Sequence, residues 1–241
     1  MTGATSTHSS GVFGADPVYV RWFGDRIVSS LSGAAPARVL DIGCGDALLI
    51  RHLARLMPRS SFVGVDRSAG NIAAARAAIA QSTDRSRIEF MQHDYLTLDA
   101  GRFDLVVASS VLQGIDASIE TLAARIASDT AAGGRLIHVT PYRCLYNTAL
   151  NGVRKVLQRV RGAATDHMIL TVARVLHPGQ PHAKLRERVE YMYLVLRHYE
   201  DDVRAALILR GFDLITTHSV PHTSLGQPKH RLAVMSAPAP R

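Results

Sequence analysis

The sequence predicts an α/β fold, a doubly wound sheet of mostly parallel strands with helices on both faces. Three observations predict it. Short apolar runs alternate with helical patterns from residue 38 to residue 140, which is the order of right-handed βαβ units. The first run breaks into a glycine turn, "VLDIGCGDALLI" at residues 39–50, as a strand does when it turns sharply into a helix. The second and third runs each end on an acid, Asp66 and Asp94, at the carboxyl ends of strands where such sheets bind ligands.

The elements follow in order. Residues 16–31 read as a helix, with Asp16 as its N-cap and Pro17 at its first position. "ARVLDIG" is the first strand, and "DALLIRHLARLM" is an amphipathic helix stopped by Pro58. "SFVGVD" and "RIEFMQHD" are the second and third strands, separated by the Ala-rich helix "GNIAAARAAIAQS". "FDLVVASSVL" is the fourth strand, and the helix "SIETLAARIASDT" is expected to end at Gly133–Gly134 before the fifth strand, "RLIHVTPY". Near the end, "EDDVRAALILRGF" is a helix with acids in its first turn and Gly211 at its C-terminus. "DLITTHSV" and "HRLAVMSA" read as an antiparallel pair closing one edge of the sheet.

Residues 142–198 are an addition to this plan. "LYNTALNGVRKVLQRV" carries apolar residues at 145, 149, 153, 156, 157 and 160, a helical stripe expected to be buried. "HMILTVARVLH" is a second helix, expected to end at Pro178-Gly179. Their position after the fifth strand, at the carboxyl ends of the strands, leads us to expect that residues 142–198 form a helical lid. Tyr19, Trp22 and Phe23 lie close together on the first helix, a spacing that suits core packing better than a substrate wall.

At 241 residues and 47% hydrophobic content the chain is expected to form one domain, residues 1–241, with a substantial core. Residues 1–16 are small and polar, so they are expected to be disordered and to hold no secretory signal. No apolar run approaches the ~20 residues that span a bilayer. Cys44 and Cys144 have neither a disulfide framework nor metal-ligand spacing, so free thiols, a cytoplasmic location and no metal are expected. The net charge is +8, and between Tyr142 and His198 ten Lys/Arg face only three acids. Such clustering suits an anionic ligand.

The glycine turn narrows the ligand. A dinucleotide site wants G-x-G-x-x-G/A, but here Gly43-Cys44-Gly45-Asp46-Ala47 runs into the bulky Leu48. Asp46 would also stand where a pyrophosphate should rest. No Gly-Lys-Ser/Thr follows, which excludes a phosphate-binding P-loop. The turn therefore prefers a ligand without phosphates.

At these residues the chain resembles the class I S-adenosylmethionine-dependent methyltransferases. "LDIGCGDA" is similar to the family's first motif, with Ala47 where a third glycine often stands, and "VGVD", "QHDYL", "FDLVVASSVLQ", "AAGGRLIHV" and "VRAALILRGFDLI" follow in register. The resemblance implies a Rossmann-like seven-stranded sheet with an antiparallel last strand and a helical insertion after strand five. It implies S-adenosylmethionine as cofactor, with Gly43 and Gly45 passing beneath its methionine part and Asp41 binding its ammonium group. Asp66 would accept from both ribose hydroxyls, Asp94 from the adenine amine with Tyr95 beside it, and Ala108 and Ser109 would lie near the sulfonium. Cys44 in the turn and Arg67 after Asp66 complete that set. "SSVLQGID" resembles the small-molecule branch, and the Asn/Asp-Pro-Pro-Tyr/Phe motif of amino-methylating DNA enzymes is absent.

The acceptor implied is a small, anionic or carrier-bound metabolite, methylated at oxygen, then nitrogen or carbon in order of preference. Tyr142, just past strand five, and His167, on the second added helix, are the candidate bases. His138 lies mid-strand, where a buried histidine is the ordinary case, and His177 and His198 stay open. Three other readings also stay open: an RNA methyltransferase, a membrane-surface lipid methyltransferase, and a protein that retains the cofactor without transferring its methyl. Nothing in the sequence bears on the oligomeric state.

Overall fold

The structure, a computed structural model, describes residues 16–31, 35–176, 179, 185, 189–221 and 227–239. Of residues 1–16, expected to be disordered, 1–15 lie outside the described residues, as do the candidate His177 and the predicted stop at Pro178, whereas Asp16 is ordered as the cap of the first helix. The elements in chain order are α1 (Pro17–Ser30), β1 (Arg38–Ile42), α2 (Leu48–Leu56), β2 (Ser61–Asp66), α3 (Ala69–Ile79), β3 (Ile88–Gln92), β4 (Phe103–Ser109), α4 (Ile119–Asp129), β5 (Thr130–Pro141), α5 (Leu145–Arg159), α6 (Ala163–Leu176), α7 (Glu200–Ile208), β6 (Asp213–Ser219) and β7 (His230–Ser236).

Local chemistry starts the helices where the sequence puts them. The Asp16 carboxylate accepts from Val18 N at 2.8 Å, and Pro17 occupies the turn where a donor would go unused. Ser68 and Ser118 cap α3 and α4 through Asn71 N and Thr121 N. The seven strands form one sheet in the order β3-β2-β1-β4-β5-β7-β6, with β7 antiparallel to both of its neighbours. The strand order therefore reverses between β1 and β4, which opens a crevice at their carboxyl ends.

Both faces of the sheet are covered over its central strands, whereas the edge strand β6 is exposed. Phe23, Ile27, Leu53 and Ile72 from α1, α2 and α3 pack on one side, and Leu122, Ile126, Val203 and Leu207 from α4 and α7 on the other. Burying each such side chain contributes about 1.5–3 kcal/mol, and it is this packing, with apolar strands between two helical layers, that holds the carboxyl ends in place.

Two expectations change. Helix α4 stops at Asp129 and β5 begins at once with Thr130, which pairs with Phe103, so Gly133 and Gly134 lie inside the strand rather than ending the helix. A Cβ on Gly134 would stand 2.8 Å from Ala131 O, so the bulged chain needs glycine there. The second change is larger. Helix α5 faces inward with Asn147, Asn151, Arg154 and Leu157, and it exposes Leu145, Val153, Val156 and Val160. Of the stripe expected to be buried, only Leu157 is.

The inward asparagines explain the inversion. Asn147 donates to Lys229 O at 2.8 Å and to Tyr142 O at 2.7 Å while accepting from Lys229 N at 2.8 Å. Asn151 donates to Leu196 O at 3.0 Å and accepts from Leu196 N at 2.8 Å. Each amide thus pairs with a backbone donor and acceptor as a neighbouring strand would, and leaving those buried groups unpaired would cost about 1–3 kcal/mol each.

Candidate active site

The glycine turn after β1 forms the floor of the crevice. Gly43 N and Cys44 N both donate to Val65 O, at 2.8 and 3.1 Å, which folds the chain back across β2. Gly43 (φ 71°) and Gly45 (φ 55°) adopt the left-handed conformation, and so does Ala47 (φ 65°). A Cβ on Gly43 would meet Val111 Cγ2 at 2.7 Å. Ala47 accepts a conformation that favours glycine, at a cost of about 1–2 kcal/mol. The turn ends at the α2 N-terminus, where Asp46 Oδ1 accepts from Leu48 N at 3.3 Å. A carboxylate already stands where a phosphate would bind.

Three acids stand at the carboxyl ends of neighbouring strands: Asp41 in β1, Asp66 ending β2 and Asp94 just past β3. Asp66 Oδ2 accepts from Gly45 N at 3.1 Å and from Asn71 Nδ2 at 3.1 Å, and its Oδ1 accepts from Ser68 N at 2.8 Å. It therefore holds the turn to β2 while staying partly exposed. Asp41 is buried mid-crevice, and burial together with the Asp66 charge raises its pKa to about 8. Asp94 caps the short 3-10 turn Tyr95–Thr97 through Leu96 N at 3.0 Å, and its other oxygen lies 3.8 Å from Arg67 Nε. Arg67, Gln92, His93 and Asp94 line a cavity of about 190 Å³. A larger one, about 350 Å³, lies among Arg51, Arg55 and Ile88; Ile88 opens β3, so that hollow sits at the opposite end of the sheet.

Cys44 is buried behind the turn, and burial with the nearby Asp41 and Asp66 charges pushes its thiol up, so it stays protonated. Tyr95 does not join the acids: its ring packs in the core below α4, with the Arg125 guanidinium 5.9 Å from its centroid. On the other side of Asp41, Ser109 ends β4, and its Oγ lies 2.8 Å from the Tyr19 hydroxyl of α1. Burial raises the Tyr19 phenol to about 12, so it is a neutral hydroxyl. Ala108 is fully buried in β4, between Ile42 and His138.

Two members of this cluster escape sequence reasoning. Tyr19 is legible only as an aromatic at core spacing, and its contact with Ser109 joins residues 90 apart. Ser110 follows with φ 53°, held by its N–H to Val139 O at 2.9 Å and by Gln113 Nε2 on its carbonyl at 2.6 Å. Strained non-glycine backbone of this kind gathers at functional sites.

Residues 40–136 match the family described as "Methyltransferase domain". The chain is 32% identical over 107 residues to trans-aconitate 2-methyltransferase of Streptomyces avermitilis, covering 44% of this chain and 39% of that one. It is 37% identical over 92 residues to ubiquinone biosynthesis O-methyltransferase of Rhodopseudomonas palustris, 38% of this chain and 35% of that one. The match thus spans well under half the length of these curated relatives. Among solved structures, magnesium protoporphyrin IX methyltransferase of Synechocystis with bound S-adenosylhomocysteine superposes with a TM-score of 0.61 at 20% identity, covering 92% of this chain and 83% of that one. N-methyltransferase NodS of Bradyrhizobium japonicum does so with 0.60 at 17%, covering 91% and 88%.

Residues 40–136 thus match a methyltransferase domain, and the seven-stranded sheet has the fold of these solved methyltransferases. The two base candidates, Tyr142 and His167, have other surroundings. The Tyr142 ring lies 4.5 Å beneath the Arg231 guanidinium, which pairs at 3.1 Å with the buried Glu200. His167 is exposed on α6. Among the described residues, neither shares a hydrogen bond with Tyr19, Asp41 or Ser109. His138 is fully buried, its Nδ1 2.9 Å from Thr140 Oγ1, and burial lowers its pKa to about 4. His198 is buried with Nε2 3.1 Å from Ile115 O. No helix among the described residues is long and apolar enough to cross a membrane.

Proposed function

We propose that this chain transfers a methyl group from S-adenosylmethionine to an oxygen of a small anionic acceptor in the cytoplasm. The observation that carries the reading is a glycine turn held by Asp66 and filled at its phosphate position by Asp46, at the strand ends that also carry Asp41 and Ser109. These residues suit a cofactor with an ammonium, a ribose and an adenine but no phosphate. Gly43 lets the turn pack closely against Val111, Asp41 meets the ammonium, and Asp66, which already accepts three hydrogen bonds, keeps about one lone-pair site for a ribose hydroxyl. Asp94 and the Arg67 cavity fit the adenine. When bound, S-adenosylmethionine supplies a methyl group on a good leaving group, so the chain's task is to hold the acceptor in line.

The relatives named for trans-aconitate, ubiquinone biosynthesis and malonyl-[acyl-carrier protein] support an oxygen acceptor of acidic character. A carboxylate acceptor is already ionised and needs no general base, which agrees with the placement of Tyr142 and His167. The insertion at residues 142–198 serves as a lid on the acceptor side. Arg197 N donates to Gln113 O at 2.8 Å and His198 reaches Ile115 O, so its last strand of chain touches the turn after β4. The test is release of S-adenosylhomocysteine in the presence of small carboxylates, carrier-bound thioesters with a free carboxylate, phenols and amines. Turnover with amines alone would overturn the oxygen acceptor, and no binding of S-adenosylhomocysteine would overturn the whole reading.

A further inference from the structure

We infer that the α5–α6 pair binds the surface of an anionic lipid membrane. The two helices turn apolar rows outward. On α5, Val153, Val156 and Val160 are 51–57% exposed, and on α6, Met168, Val172 and Val175 are 52–75% exposed. Each set repeats at three or four residues, so each forms one row along its helix. Exposed valines scattered singly need no explanation, but two successive helices that both carry such a row do.

The inward packing accounts for why these rows are available. α5 is fastened by Asn147 and Asn151, which satisfy backbone groups of Lys229 and Leu196. α6 is fastened through Ile169, which packs with Leu157, Val189 and Tyr193. Neither helix needs its outer apolar residues to stay on the fold.

Charge chooses the occupant. Residues 145–176 carry five Lys/Arg and one acid. Lys155, Arg159 and Arg174 are exposed and form no ion pair with another described residue, whereas Arg161 pairs with Glu190 at 2.8 Å. The one acid, Asp166, is engaged by the Tyr193 hydroxyl at 2.5 Å. Apolar rows flanked by cations that pair with no described residue match the boundary between anionic headgroups and acyl chains, where helices lie in the interfacial plane. A second copy of this chain fits poorly, because a two-fold contact would set the same cations against each other. Phosphates of a nucleic acid would satisfy the cations and leave the valines bare. The inference does not depend on the methyl-transfer reading.

The experiment is co-sedimentation of the full chain with vesicles of phosphatidylglycerol and phosphatidylcholine in equal parts, against phosphatidylcholine alone. Binding to the anionic vesicles is expected to be at least roughly tenfold tighter and to weaken as salt rises. Lys155→Gln/Arg159→Gln/Arg174→Gln is expected to weaken it on the order of 100-fold, from three lost cations. Val156→Glu/Val172→Glu is expected to weaken it by roughly tenfold or more without changing S-adenosylhomocysteine affinity, since both sites are exposed. Equal binding to both vesicle types, or none to either, overturns the inference. So does light scattering that shows a wild-type dimer converted to monomer by Val156→Glu/Val172→Glu, which would make this face a contact between copies.

Discussion

The Tyr19 hydroxyl lies 2.8 Å from Ser109 Oγ and joins the first helix to the carboxyl end of the fourth strand. The contact ties the first turn of α1 to the crevice beside Asp41, which is near enough for its charge to act on the phenol. Tyr19→Phe removes one hydrogen bond and keeps the ring, so it is expected to cost about 1 kcal/mol of stability. If α1 positions the acceptor, kcat falls more than the change in melting temperature accounts for; an unchanged kcat would limit the pair to a structural role.

Asp66→Asn keeps the shape of the side chain but removes the charge. Charge-assisted acceptance from a ribose hydroxyl is worth about 2 kcal/mol, so S-adenosylhomocysteine affinity is expected to fall about 30-fold. Calorimetric titration checks this. A change under about threefold in a folded variant would leave Asp66 as a residue that only ties the turn to β2.

Asp41 gives the ligand-free protein a pH dependence. Its folded pKa is raised from 3.8 to about 8 by burial first and then by Asp66. The folded state therefore keeps a proton that the unfolded state releases, and stability falls as pH rises from about 4 to about 8. Asp41→Asn is expected to flatten that fall and to be more stable near pH 8 by on the order of 2–4 kcal/mol without cofactor. Denaturant melts across this range, wild type against variant, measure it. A fall of the same size in the variant would assign the dependence to another group.

Gly43→Ala sets a Cβ 2.7 Å from Val111 Cγ2 at φ 71°. The left-handed backbone alone costs about 1–2 kcal/mol, and the clash adds to it. Pairing it with Val111→Ala removes the Cγ2 contact but keeps Val111 Cβ 2.9 Å away, so it is expected to recover only part of the clash and to leave the backbone cost. Full recovery in the double variant would mean that the conformation itself carries no strain.

Asn151→Ala leaves Leu196 N and O without their partner and is expected to cost about 2–3 kcal/mol. If residues 142–198 act as a lid, hydrogen exchange in α5 speeds up selectively while β1 and β4 stay protected. Uniform loss of protection would instead make the insertion part of the cooperative core.

What the sequence by itself determined is whatever depends on neighbours within a turn or a strand. Asp16 and Pro17 start α1 because cap and ring act on the next two residues. The glycine turn, the alternation of strands and helices, and the acids ending β2 and β3 follow from local propensity and from the rule that parallel strands need a crossover. Asp41, Asp66 and Ser109 were legible because the turn and strand ends bring them to one edge.

Only the tertiary structure decided which way the ambiguous faces turned. Periodicity shows that residues 145, 149, 153, 156 and 160 share a side of α5, but it is silent on whether that side faces the fold. The outcome was set by Lys229 and Leu196, whose backbone groups drew Asn147 and Asn151 inward and left the valines outside. The end of α4 likewise depended on pairing with Phe103 across the sheet rather than on Gly133 and Gly134. Tyr95 turned into the core, and Tyr19 reached Ser109 across 90 residues. In each case the deciding partner is distant in the chain. A buried backbone group must be paired and a buried ring must be packed wherever the partner comes from, and that demand is met only when the chain has closed on itself.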